Sequence, residues 1–460
     1  MLLLLFTGGC DWCPAAECPW VDEEPAPLCV TGAVLGGLVA EGCLVGDQIH
    51  GRAGYALVMA GDLDADGAAD LVVTAPQAQV PDLAYLAPVD IVGIAALSPT
   101  AVRVAEPDDP APGALGTEVA AAGDVDGDGV PDLWLGAPDG LEDGSGYAGW
   151  VPGPVAYRGR ISAVQTRLIG ITPYAGTGHA VVGLGDHHGD GAAEVAVSAP
   201  FEGDGRGVVY VASGPFEPGD VPLWSVSERV SGTADGHEAG TSLSAGDVDG
   251  DGLLDLAIGA PGALGGGGRA AIFLAPVPDG LAVADADHRV GGTGASGAQL
   301  ALGGDLDGDG LADLVVSAPE DGRVADHAGS VAIHLSPPSD EPDGLLTGQR
   351  AGDRVGTTLA TDLDLDGDGR DDVVFGAPHA PVGPQGESGP GVLWLAWGTP
   401  LGTTAVDTLD STSGHADGDA FSQGLAAIPG GGGDGRDALA VGAWGALGDA
   451  EGAGVVWLFR

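Results

Sequence analysis

Apolar residues in this chain fall in short, uninterrupted runs, and each run follows directly on an Asp-rich stretch. Leu71-Val72-Val73, Leu256-Ala257-Ile258 and Leu314-Val315-Val316 are such runs, and Ala-Pro stops them at Pro76, Pro138, Pro200, Pro261, Pro319 and Pro378. An unbroken apolar run of this length is the pattern of a strand covered on both faces. No segment carries a 3.6-residue apolar period through the many Gly and Pro, so helices are not expected. A Gly-led strand precedes each Asp-rich stretch, as at Gly116-Thr117-Glu118-Val119-Ala120 and Gly240-Thr241-Ser242-Leu243-Ser244. A third strand follows, as at Val208–Val211, Ala271–Leu274, Val331–His334 and Val392–Leu395. A weaker fourth then leads to a glycine, as at Val230-Ser231-Gly232 and Leu346-Thr347-Gly348.

This four-strand unit recurs about every sixty residues, with Asp-rich stretches starting at Asp62, Asp124, Asp186, Asp247, Asp305 and Asp364. A repeat of that period means stacked supersecondary units, and four antiparallel strands per unit make a propeller blade. A seventh, decayed unit runs from Gly424 to Trp444; it keeps the strand Ala438–Val441, and Asp437 reads as the last Asp of its loop. The final strand, Val455–Phe459, is a third strand, so a fourth is sought elsewhere. Leu44-Val45-Gly46 stands ten residues before Gly54, the spacing of Val230 from Gly240, and is expected to pair beside the C-terminal strand. Such pairing closes a ring whose blades are stabilised by neighbour contacts. The reading is all-β: a seven-bladed β-propeller of four-stranded antiparallel blades over residues 40–460, closed by an N-terminal strand.

Composition changes the picture in two ways. The formal net charge is −52, from 67 acidic residues against 15 Arg and no Lys. A surface of this sign repels nucleic acid and anionic lipid, which excludes both as partners. A high-salt habitat would spread acid evenly, whereas 22 Asp stand at the repeated loop positions, which favours metal binding. All five cysteines lie in the first 43 residues. The apolar start, ending in small residues before Cys10, resembles a bacterial lipoprotein signal over residues 1–9, with Cys10 as the lipidated residue; a basic n-region is missing and Thr7 stands where Leu is usual. A plain secretory signal is the alternative. With Cys10 lipidated, Cys13, Cys18, Cys29 and Cys43 are left as disulfide candidates, with three pairings open, in or beside a Cys-rich segment over 10–39. Export is the expectation, to the cell surface or as a secreted protein, with the membrane reached only through a lipid anchor. No later stretch approaches the ~20 apolar residues of a membrane span.

The loops read D-x-D-x-D-G-x-x-D. Positions 1, 3, 5 and 9 offer carboxylates, position 7 a backbone carbonyl, and position 6 a Gly for the tight turn. All-oxygen donors at this density suit Ca²⁺. Two carboxylates ~4 Å apart repel by about 4 kcal/mol at an effective dielectric of 20, so the set without a cation is strained. An EF-hand needs Glu at position 12 and a following helix, whereas position 12 here is Val73, Leu135, Ile258, Val316 or Phe375. The complete sets are Asp62, Asp64, Asp66 and Asp70; Asp124, Asp126, Asp128 and Asp132; Asp247, Asp249, Asp251 and Asp255; Asp305, Asp307, Asp309 and Asp313; and Asp364, Asp366, Asp368 and Asp372. The third loop has His188 at position 3 and Glu194 at position 9 beside Asp186 and Asp190, which makes it a weaker or empty site. The expectation is about five Ca²⁺ sites, or six if the third loop also binds.

These loops, followed by Gly-Ala-Pro, resemble the FG-GAP repeats of the integrin α-subunit head, a seven-bladed propeller. The resemblance implies Ca²⁺ held by the Asp sets in hairpins between the first two strands of a blade, in a structural rather than catalytic part. The Phe of the FG signature survives only at Phe421; Ala53, Leu115, Thr177, Ala239, Ser296 and Val355 stand in its place. Even blade spacing, with no inserted domain, leg domains or span, resembles a free-standing bacterial surface propeller.

For function, the sequence favours a binding module for adhesion or protein–protein contact, with an unknown protein or glycan as ligand. A lectin is the second reading, with Trp134, Trp150, Trp224, Trp394, Trp397, Trp444 and Trp457 as candidate platforms, though a strand Trp more often marks core. An enzyme such as a polysaccharide lyase or esterase is the weakest, since G-x-S-x-G and H-E-x-x-H are absent and catalytic residues are not expected. His187-His188 and His237-Glu238 are read as turn residues.

Overall fold

The computed structural model describes residues 34–35, 38–45, 54–63, 65, 67, 69–74, 76, 89–93, 102–104, 115–154, 160–161, 164–378, 380, 391–398, 406–410, 420–431, 435–443, 445 and 454–460. Asp64, Asp66, Trp444, Cys10, Cys13, Cys18, Cys29 and the 1–9 segment lie outside the described residues. Among the described residues the structure is all-β apart from four single helical turns, and the strands form seven sheets built on antiparallel pairing.

Unit four shows the plan. Leu243–Gly246, Asp255–Ala260, Arg269–Phe273 and His288–Gly291 pair in chain order, with Leu243 opposite Ile258, Ala257 opposite Ile272 and Ala270 opposite Val290. The second strand is buried along its whole length here and in every other sheet. Its two faces serve different neighbours. Leu256, Ile258 and Ala260 pack with Val209 and Val211 of unit three, whereas Ala257 packs with Leu300, Leu302 and Val316 of unit five. This two-sided cover is why the apolar runs do not alternate with polar residues. Full burial of each Leu, Val or Ile contributes about 1.5–3 kcal/mol.

The innermost strands of successive sheets pack on one another. Leu57–Met59 packs on Glu118–Gly123, and the series continues through Val181–Gly185, Leu243–Gly246, Leu300–Leu302, Thr358–Ala360 and Phe421–Ile428, which itself packs on Leu57–Met59. Leu38–Val45, which carries the backbone of Cys43, pairs antiparallel with Val455–Phe459, with Leu44 opposite Val456.

Two features depart from the sequence reading. The first strand of the last unit is Phe421–Ile428, beginning before Gly424. Ser422, at φ 71°, stands after Phe421 where other units place a left-handed glycine such as Gly240 at φ 89°. Asp437 also moves by one position. Gly442-Ala443 aligns with Gly376-Ala377, which puts Ala438 at position 9 and Asp437 at position 8. The bonds agree: Asp437 N–H donates to Asp364 C=O (2.9 Å) and its carboxylate accepts Asp364 N–H (2.9 Å). Asp371, at position 8 of the sixth loop, makes the same pair of bonds with Asp305, at 2.9 and 2.8 Å. The offset is hidden in the sequence because the decayed loop has glycine at its first four positions and keeps only Asp434 and Asp437.

Sequence reasoning also missed a set of short parallel strands. Between its third and fourth strands, a unit sends a segment to the outer strand of the preceding sheet. Arg160–Ile161 pairs with Val102–Val104, Gly219–Pro222 with Thr166–Ile169, and Leu281–Ala282 with Val230–Ser231. Two to four residues with no apolar pattern carry no strand signal of their own.

Candidate metal centres

Loop two shows how the sequence folds these sites. Position 6, Gly129, is at φ 93°, and a Cβ there would meet nothing, so the glycine is required for its backbone angle alone. The turn wraps around Asp124. Its Oδ1 accepts N–H from Gly127 (2.8 Å) and Asp128 (3.0 Å), and its Oδ2 accepts from Gly129 (2.9 Å). Asp126 Oδ1 accepts Asp128 N–H (3.2 Å), and Asp128 Oδ1 accepts Val130 N–H (2.8 Å). Loops five and six repeat the full pattern around Asp305 and Asp364; in loop four Asp247 accepts from Gly250 and Gly252. In loop one, Asp62 Oδ2 accepts Gly67 N–H (2.9 Å).

Position 9 is different. Asp70, Asp132, Asp255, Asp313 and Asp372 are buried at the start of the second strand. One oxygen accepts the N–H of position 2 at 2.8–2.9 Å, from Leu63, Val125, Val248, Leu306 or Leu365. In loops two, four, five and six the other oxygen accepts an N–H just beyond the third strand, from Gly153, Ala275, Ser336 or Gly398. This carboxylate ties loop to sheet. Burial, followed by neighbouring carboxylates, raises the pKa of Asp132 and Asp255, and pushes Asp313 and Asp372 to about 7. Burial and the nearby Asp309 raise Asp307 as well.

Four loops bring three carboxylates together, with one oxygen from each within 4.8 Å of the others: Asp124, Asp126 and Asp132; Asp247, Asp249 and Asp251; Asp305, Asp307 and Asp313; Asp364, Asp366 and Asp368. The fourth members of these sets, Asp128, Asp255, Asp309 and Asp372, lie outside that mutual distance. The donors are oxygen only, and a carboxylate oxygen holding one N–H keeps a second lone pair. Such a set fits a hard cation, which would offset the charge crowding that raises the buried carboxyls.

The third loop is arranged otherwise. Asp186 Oδ1 and Oδ2 accept N–H from Asp190 (2.8 Å) and Gly191 (2.9 Å), and buried Glu194 accepts His188 N–H (3.1 Å). The His188 ring lies across this loop, with Nδ1 3.3 Å from Glu194 Oε1. No three-carboxylate cluster forms there among the described residues. His187 stands in a turn, as expected, but it does more than turn the chain. It is fully buried in the place that Leu or Val fills elsewhere, and it joins two units: Nδ1–H donates to Leu254 C=O (2.7 Å), and Nε2 accepts Val277 N–H (2.9 Å). His237 stays in a turn beside Thr233 (3.0 Å).

Of the tryptophans described, Trp134, Trp150 and Trp457 are core, while Trp224 is 59% exposed. Ile171, Tyr174, Phe201, Leu264 and Val324 are exposed on loops that join strands two and three or enter the next unit. In an antiparallel meander these loops lie at the end opposite the Asp loops, which join strands one and two. No helix among the described residues is long and apolar enough to cross a membrane.

An all-β array of repeated sheets, six of them with an acidic hairpin between the first two strands, defines a repeat protein in which four loops carry cation-type donor sets. Residues 53–85, 239–273, 296–334 and 355–394 match the FG-GAP repeat family. The chain thus carries four FG-GAP repeats and is similar to integrin α subunits. It is 38% identical to integrin alpha-4 of Xenopus laevis over 154 residues, which is 32% of this chain and 14% of the relative. Integrin alpha-PS2 of Drosophila melanogaster is 38% identical over 154 residues, covering 30% of this chain and 11% of the relative. Human integrin alpha-X is 38% identical over 146 residues, covering 30% and 12%. The matched region is thus a small part of these relatives.

Proposed function

We propose that the protein is a calcium-stabilised, exported binding module acting in adhesion or protein–protein contact, built as a closed seven-bladed propeller. The observation that carries the calcium reading is the recurrence of a three-carboxylate, oxygen-only cluster in four loops, made by positions 1, 3 and 9 in two of them and by positions 1, 3 and 5 in the other two. The four clusters would each hold an ion, Asp124, Asp126 and Asp132 in the second loop and Asp247, Asp249 and Asp251 in the fourth for example, with Asp62, Asp64, Asp66 and Asp70 as a fifth site. The ion supplies charge compensation and cross-links each hairpin; no chemical step is assigned to it. Closure is supported by the inner-strand contacts, which return to Leu57–Met59, and by Leu38–Val45 beside Val455–Phe459. The exposed Ile171, Tyr174 and Phe201 support a protein-contact face at the end away from the ions. Trp224 supports glycan binding as the second reading, being an exposed aromatic plane on the outer side of unit three. Surface lipoprotein or secreted form is the proposed location.

Calorimetric titration of EDTA-stripped protein tests the ion count. Five sites are expected, with the third loop silent, and the Asp186→Asn variant should leave the count unchanged. A count of none or one would remove the calcium reading.

A further inference from the structure

The short parallel strands are not distributed evenly, and the gap has a cause in chain length. The fourth strand begins twelve positions after the proline that follows the third in units two, three and four, from Pro154 to Thr166, Pro215 to Ser227 and Pro276 to His288. In unit five the step is only seven positions, from Pro337 to Gly344. That connection, Pro337 to Asp343, is described throughout and forms no strand. The fourth sheet therefore ends at His288–Gly291, with no fifth strand on its outer edge among the described residues. An open edge of this kind presents unpaired N–H and C=O groups and is a template for another strand.

The side chains say what would fit. The second sheet is the internal template: Gly219–Pro222 lies parallel to Thr166–Ile169, with Arg167 opposite Asp220. Arg167 Nε contacts Asp220 Oδ1 at 2.6 Å. Counting back from Gly170, Gly232 and Gly292, each bonded to the glycine that opens the third strand, Arg167 corresponds to Arg229 and Arg289. At Arg229 the added segment again brings an acid, since Asp279 Oδ1 accepts Arg229 N–H (3.1 Å). Arg289 has the same place but no added segment; its guanidinium donates to Ala284 C=O. Beside it, half-buried Arg269 keeps a buried Nε with no hydrogen-bond partner. Neither arginine has an ion pair among the described residues, in a chain where acids outnumber bases 67 to 15. The two lie with His288, Gly291, Pro338 and Asp340 around an open cleft of about 720 Å³. Asp287, also on the cleft, is engaged by Leu274 N–H (3.0 Å).

We propose that the outer edge of His288–Gly291 is a docking site for an extended acidic segment of a partner protein. The segment adds as a parallel fifth strand, its backbone pairing with the open edge and one carboxylate meeting Arg289 and Arg269. The net charge of −52 opposes the approach of an acid from a distance. At physiological salt that field is screened beyond ~8 Å, while contact between carboxylate and guanidinium is not. Binding should therefore persist, rather than vanish, between low and physiological ionic strength. The inference rests on the reading of the protein as a binding module, and it commits that module to one edge.

The test uses the full chain in saturating Ca²⁺ and a labelled peptide of the internal template, Glu217 to Leu223, followed by fluorescence anisotropy. Saturable binding is expected, with at least a tenfold loss in the Arg289→Glu variant. A peptide carrying Arg at the Asp220 position should recover binding to that variant. Hydrogen exchange on the native protein should slow at the amides of 288–291 when peptide is added. Absence of saturable binding at millimolar peptide, equal binding to Arg289→Glu, or protection elsewhere would overturn the proposal. Thermal unfolding of each sample with and without EDTA runs in parallel, so that loss of peptide binding is distinguished from loss of the calcium-stabilised fold.

Discussion

Replacing Asp255 by alanine should separate two jobs that the sequence gives to one set of residues. Its buried carboxylate accepts Val248 N–H (2.9 Å) and Ala275 N–H (2.9 Å), joining the loop start to the end of the third strand. Each of these two donors left without an acceptor costs about 1–3 kcal/mol, so the variant should lose ~2–6 kcal/mol whether or not metal is bound. Asp249 is in the cluster with Asp247 and Asp251, but its own bond, from Asp251 N–H (3.1 Å), is exposed. Asp249→Ala should cost within about 0.5 kcal/mol in EDTA. In Ca²⁺ it should forfeit the contribution of one ion, ~2.7 kcal/mol at a free concentration one hundred times the dissociation constant. Urea unfolding midpoints of both variants, in EDTA and in millimolar Ca²⁺, are the assay. Equal losses for the two variants in EDTA would refute the division, in the fourth loop, into a structural Asp255 and an ion-facing set of Asp247, Asp249 and Asp251.

Three further outcomes follow from the same geometry. Asp313 and Asp372 are raised to about 7 by burial and neighbouring carboxylates. A carboxyl raised in the fold is most favourable when protonated, so that contribution is complete below its ordinary pKa and is lost as pH rises through about 7. Burial lowers the pKa of His187 and His334, which pull the other way below about 6.5. Between pH 8 and 6.5, therefore, the EDTA-treated protein should gain more melting temperature than the Ca²⁺ form, which shares only the gain from Glu118, pushed up to about 8 by burial outside the clusters; an equal response of both forms would count against it. His187→Leu matches the other loops in shape but strands Val277 N–H, and should cost about 1–3 kcal/mol by urea unfolding, with no change in ion count. Trp134 is fully buried with its ring edge-on to Phe216 at 5.3 Å, so Trp134→Ala should cost ~3–5 kcal/mol, whereas exposed Trp224→Ala should leave the midpoint unchanged.

Strands and loops were legible in the sequence because both leave strong local marks. The apolar runs at 71–73, 256–258 and 314–316 are continuous because each second strand is covered by two sheets. The Asp spacing, with Gly at position 6, reflects a turn that wraps its backbone N–H groups around the first carboxylate. What could not be read depends on contacts distant in the chain. The distinct part of position 9 shows only when Asp255 is seen between Val248 and Ala275. His187 looks like a turn residue until Leu254 and Val277 of the next unit close around it. The strand Gly219–Pro222 has no apolar pattern, since its pairing with Thr166–Ile169 is made by backbone and one ion pair.

The measurement that bears most directly on the central claim is the thermal unfolding midpoint of the full chain in EDTA and across a Ca²⁺ titration to the millimolar range. A rise of many degrees that saturates with Ca²⁺ and is absent with Mg²⁺ is the predicted result, because several sites stabilise one cooperative fold. An unchanged midpoint, with the EDTA-treated protein fully folded, would contradict it and reduce the clusters to acidic turns.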